Sequence, residues 1–126
     1  MSNPSKQRGT AWETALVRYL REQHMDADRL RQTGKNDEGD IVLRIPRMGG
    51  QAGFRTEHVI FEAKNTARMN LAGWISEAET EAANFAAHRP GIEVPGFIVA
   101  YKRRNHGVGQ SYVITTLDEW MRQQIR

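Results

Sequence analysis

What most limits the fold of this chain is a repeated change of hydrophobic period. Trp12, Ala15, Leu16, Tyr19 and Leu20 recur at helical spacing and make one apolar stripe. The stripe predicts a helix over about Thr10–His24, with Glu13 at its edge. The period then shortens. Ala27–Arg31 reads as a short strand, Asp40–Ile45 as a second and Thr56–Lys64 as a third. The last two are expected to pair as a hairpin around Pro46–Phe54, whose glycines predict a mobile loop. Asn70 opens a second helix, with Leu71, Trp74, Ile75, Ala78, Ala82 and Phe85 on one side, ending near Arg89 before Pro90. Phe97–Tyr101 is a continuous apolar run of the kind found in buried strands. Ser111–Thr115 is a further strand. Thr116-Leu-Asp-Glu119 is a capping box that starts a C-terminal helix, in which Trp120 and Met121 are expected to supply apolar contacts. Helix, strands, helix, strands, helix is the order of an α/β fold: a mixed sheet with helices packed on it.

Size and composition narrow the functions. The 126 residues are expected to form a single domain, with Met1–Gln7 as a flexible tail. Cysteine is absent, which excludes disulfide scaffolds, thiolate zinc sites and cysteine nucleophiles. No apolar run approaches the ~20 residues of a membrane span. No cationic start leads into an apolar stretch, so a signal peptide is not expected and the cytoplasm is. The four histidines lack metal-ligand spacing, and neither a serine-nucleophile motif nor a P-loop is present. Lys and Arg number 18 against 15 Asp and Glu, a net +3 that hints at a polyanionic partner.

Three acids and one lysine stand out by position. Asp40 opens a strand after a glycine turn. Glu62 follows Val59, Ile60 and Phe61 in the next strand, and Lys64 comes two residues later. Strand side chains alternate, so Glu62 and Lys64 share a face. A hairpin register can set Asp40 beside Glu62, and Glu13, on a helix over the sheet, can complete the group. Close carboxylates repel one another and resist ionising together, so such a group is costly to keep for structure alone. It suits Mg²⁺, which takes hard oxygen ligands. A bound metal activates water for phosphodiester hydrolysis, and an adjacent lysine stabilises charge in the transition state. Glu77, Glu79 and Glu81 read as the solvated side of the second helix, although Glu81 falls near Trp74 on the helical wheel.

At these residues the chain resembles the PD-(D/E)XK nuclease superfamily, and more narrowly its Holliday junction resolvases, archaeal-type and phage-encoded. The matching stretches are Gly9-Thr-Ala-Trp-Glu13, Gly39-Asp-Ile41, Val59-Ile-Phe-Glu-Ala-Lys64 and Lys102-Arg-Arg104. With the element order, the resemblance covers nearly the whole chain. It implies a restriction-endonuclease-like mixed β-sheet flanked by helices, forming one nuclease domain. It implies catalytic roles for Glu13, Asp40, Glu62 and Lys64, with Mg²⁺ (or Mn²⁺) held by Glu13, Asp40, Glu62 and the Ala63 carbonyl. It also implies a homodimer acting on four-way or other branched DNA. Gly39 stands where the motif has a proline. Lys102, Arg103 and Arg104 form the densest basic run and are the leading DNA contacts, with Lys35 and Arg8 as further candidates. The competing readings are a nuclease of the same fold acting on linear, flap or single-stranded DNA, and a non-catalytic DNA-binding module.

Overall fold

A computed structural model describes residues 3–31, 37–49 and 53–124. Helix α1 spans Pro4–Glu22, β1 Asp26–Arg29, β2 Ile41–Gly49, β3 Gly53–Lys64, α2 Leu71–Ala87, β4 Gly96–Tyr101, β5 Tyr112–Ile114 and α3 Leu117–Gln124. The fold is α/β: one five-stranded mixed sheet in the order β1-β2-β3-β4-β5, flanked by the helices. Only β3 and β4 run parallel; the other neighbours are antiparallel. The parallel pair is joined through α2, as a parallel connection requires a crossover.

Alternation along the strands sorts the core into two layers. Ile41, Leu43, Val59, Phe61, Ile98 and Ala100 pack with Trp12, Leu16 and Val17 of α1. Val42, Ile60, Phe97 and Val99 pack with Trp74, Ala78, Ala82 and Phe85 of α2. Glu62 and Lys64 continue the series of Ile60 and therefore fall on the α2 side of the sheet.

The structure corrects three expectations. Residues 3–7 are not a frayed tail, because α1 begins at Pro4. Asn3 caps it, its side chain accepting from the Ser5 and Lys6 amides, and proline occupies the first turn, where its missing N–H costs nothing. The Pro46–Phe54 stretch is not simply a loop: the β2–β3 ladder continues through Pro46↔Thr56 to Gly49↔Gly53. Pro46 is tolerated because β1 pairs only as far as Arg44, leaving one side of β2 without a partner there. In α3, Trp120 and Met121 are exposed and Glu119 is buried. Thr116 Oγ1 does accept from the Glu119 amide, as the capping box predicts. The Glu119 carboxylate, however, turns inward to Arg122 and Gln123 over Gly96, whose missing side chain makes the room.

Candidate metal centre and basic groove

The backbone fixes Asp40 before its side chain does anything. Its N–H donates to Phe61 O (3.0 Å), and its carbonyl accepts from Leu30 N (2.8 Å). Gly39 holds φ +98, a conformation closed to proline, which explains the glycine at that place. The preceding residues are strapped to the far end of α2. Glu38 meets Arg89 and His88 at 2.6 Å each. The Arg89 guanidinium holds the Glu38 carboxyl below the usual carboxylate range. Asn84 Nδ2 donates to Asp37 O at 2.8 Å.

Held this way, Asp40 points along β3. Its Oδ2 accepts from the Ala63 amide at 2.8 Å. The contact Ala63 makes with Asp40 is thus through its N–H. Burial, then the neighbouring Glu62 carboxylate, pushes the Asp40 carboxyl up to about 8. Burial also raises Glu62, and the touching Glu81 carboxyl raises it further. Burial raises Glu81 in turn. Lys64 Nζ lies 3.2 Å from Glu62 Oε1 and 3.3 Å from Glu77 Oε1. Burial works against its charge, but Glu62 and Glu77 outweigh it and hold the ammonium above the ordinary lysine range. The ammonium also sits 5.8 Å from the Trp74 ring centroid.

Asp40, Glu62 and Lys64 therefore meet as the sequence predicts. Glu13 reaches the group only from its edge: its charge raises Asp40, while its own Oε1 lies 3.3 Å from Arg29. Among the described residues, the acids whose oxygens come within 4.8 Å of one another are Glu62, Glu77 and Glu81, a set able to hold a metal. The reading of Glu81 as solvated is thereby overturned, because it is buried. Glu77 and Glu79 are exposed, as the sequence predicts, although Glu77 also reaches Lys64. The signal was present in the spacing Trp74, Glu77, Ala78, Glu81, which places all four on one helical face.

Lys64 O accepts from Lys102 N at 3.0 Å, and this bond joins the acidic cluster to a groove of about 910 Å³. Asn65 and Thr66, Lys102–His106, and Arg8 of α1 line it. Three predicted DNA contacts from one loop and a fourth from the first helix thus share one surface. Among the described residues, Arg8, Lys102, Arg103 and Arg104 have no acidic partner, a property they share with Lys6, Arg18, Arg31 and Arg68, whereas Arg21, Arg29, Arg44, Arg47, Arg55, Arg89 and Arg122 sit in ion pairs. Lys35 lies outside the described residues. No described helix is long and apolar enough to cross a membrane.

The donor set fits a hard divalent cation. It consists of carboxylate oxygens, and two of them, Glu62 Oε2 and Glu81 Oε2, are buried without a hydrogen-bond partner. Compared with protein families, curated proteins and solved structures, the chain matches none.

Proposed function

We propose that this protein is a metal-dependent endonuclease that hydrolyses phosphodiester bonds in branched DNA, with the four-way Holliday junction as substrate. The observation that carries this reading is the joining of two touching carboxyls and a lysine to a groove of unpaired cations, which begins at the residue after Lys64.

Hydrolysis of a phosphodiester requires a positioned water and relief of the charge that builds on the phosphoryl oxygens. Asp40 and Glu62 would hold Mg²⁺ (or Mn²⁺), with the Ala63 carbonyl as a further oxygen donor and Glu13 at the margin. A divalent cation bound there supplies a Lewis acid for phosphate and lowers the pKa of water. Lys64 stands beside the same carboxylate, where its ammonium orients the attacking water and offsets negative charge in the transition state. Arg8, Lys102, Arg103 and Arg104 neutralise flanking phosphates without reading bases. The preference for a four-way junction rests on the resemblance at Gly9–Glu13, Gly39–Ile41 and Val59–Lys64. A two-fold homodimer would offer one site to each of two strands and match the symmetry of the junction.

The test is cleavage of labelled four-way junctions, flaps, linear duplex and single strands, in Mg²⁺ and in EDTA. Wild type should cut the junction best and only with metal. Asp40→Asn and Lys64→Ala should each lower the rate by about 10³-fold, in line with the loss of a main transition-state partner, while both still bind the junction. Equal cutting of linear duplex would end the resolvase assignment. Metal-independent behaviour, with Asp40→Asn unchanged, would end the nuclease assignment.

A further inference from the structure

A cation on Asp40 and Glu62 would leave Glu77 and Glu81 outside its ligand set. Glu77 and Glu81 stand one turn apart on α2, which packs on the face of the sheet that carries Glu62. An oxygen of each lies within 4.8 Å of the other and of Glu62. Proximity alone makes no site, since exposed acids often gather. Burial adds a second observation. Glu62 is 5% exposed and Glu81 2%, and Glu62 Oε2 and Glu81 Oε2 have no hydrogen-bond partner. Two buried carboxyls that touch have no donor between them, so only a shared proton or a cation can reconcile them. Elsewhere this chain answers buried glutamates with guanidinium: Arg47 for Glu57 and Arg122 for Glu119.

We propose that Glu62, Glu77 and Glu81 form a second divalent-cation site, with Glu62 shared between it and the Asp40 site. Carboxylate oxygens suit Mg²⁺ or Mn²⁺, and a carboxylate shared between neighbouring cations is what a two-metal nuclease centre requires. Lys64 Nζ lies 3.3 Å from Glu77 and already offsets part of the negative charge. The second site is therefore the weaker of the two and fills after the first. This deepens the nuclease reading and rests on it for the cation at Asp40, but it makes its own demand on the protein without DNA.

The test is Mn²⁺ binding to the DNA-free protein, followed by titration calorimetry and by electron paramagnetic resonance at low temperature. Wild type should bind two Mn²⁺ per chain in two steps and give the signal of a spin-coupled pair. Glu81→Gln, which keeps the side chain's shape, should weaken the second step by at least the ~10–100-fold that losing even an outer partner of a metal costs. It should also abolish the coupled signal and leave the first step in place. Asp40→Asn should lose the tighter step. Glu79→Gln, outside the cluster, should keep both. A single Mn²⁺ in wild type, or two in Glu81→Gln, overturns the proposal; the former assigns Glu62 and Glu81 a shared proton instead. Two bound Mn²⁺ with no DNA cleaved would sink the nuclease reading and leave this site standing. Cleavage supported by one Mn²⁺ would do the reverse.

Discussion

Among the described residues four glutamates are buried, and the two ends of the sheet treat them differently. Toward the start of β4, Glu57 and Glu119 are each met by a guanidinium. Arg47 Nε stands 3.0 Å from Glu57, and Arg122 clasps Glu119 with help from Gln123. Toward the end of β4, Glu62 and Glu81 touch one another and half-buried Asp40 joins them, with Lys64, among the described residues, set against three carboxyls. A protein can bury a charge cheaply only by pairing it. This one gives Glu57 and Glu119 a guanidinium each, and sets a single lysine against several carboxyls beside the basic groove. The acidic end is left with more carboxyls than Lys64 offsets, which is the excess the cation proposed above would balance.

The contrast can be broken in several ways. The largest expected effect is at Gly39. A Cβ there would lie 2.4 Å from Ile60 Cγ2 and 3.4 Å from Glu81 Oε2, on a backbone at φ +98. Gly39→Ala should cost about 2–4 kcal/mol by overpacking and strain, read in urea denaturation. A loss under about 1 kcal/mol would mean that the acidic end is loosely built.

Next come the answered acids. Arg47→Ala and Arg122→Ala each take the guanidinium from a buried carboxylate and should cost about 1–3 kcal/mol. If both are neutral, the supposed difference between the two ends disappears.

A smaller effect is the pH dependence of the protein in EDTA. Asp40 titrates at about 8 in the fold, against 3.8 for an ordinary aspartate, chiefly because it is buried. The native state then keeps a proton that the unfolded chain has released, so this group's contribution is fully present below about pH 4. It is lost as pH rises toward 8. Glu62 and Glu81 are raised as well and act with the same sign. Melting temperature should therefore fall across this window in EDTA, and Mg²⁺ should flatten the slope. A melting temperature that rises with pH in EDTA would contradict the unanswered state of these acids.

The smallest effect is at Glu81 itself. Glu81→Gln should stabilise the metal-free protein by about 1 kcal/mol, as removing a functional strain commonly does. A destabilised variant would place Glu81 with Glu57 and Glu119.

Much of the candidate site was legible because it depends on local geometry. Strand alternation alone aligns Glu62 with Lys64, and a hairpin brings the start of β2 next to the end of β3, hence Asp40 next to Glu62. The Asn3-Pro4 cap was also written in the sequence, although the polar composition of the first residues hid it. Glu13 shows where such reasoning weakens. Its place on the helix stripe was readable, but its distance from Asp40 depends on how α1 lies on the sheet, and there Arg29 takes part of its charge. The faces of α3 were misread because hydrophobicity predicts Trp120 and Met121 inward, whereas the space over Gly96 and the reach of Arg122 favour Glu119.

By itself, then, the sequence determined the order of elements, the hairpin and the strand face that carries Glu62 and Lys64. These follow from periods of 2.0 and 3.6 residues and from caps, which act over a few residues. Only the tertiary structure decided that α2 would bring Glu77 onto Lys64 and Glu81 onto Glu62, that Arg8 would join the Lys102–Arg104 groove, and which buried acids would find a guanidinium. Those outcomes depend on the docking of whole elements across the sheet. No local pattern encodes the distance between two charges that the chain separates by dozens of residues.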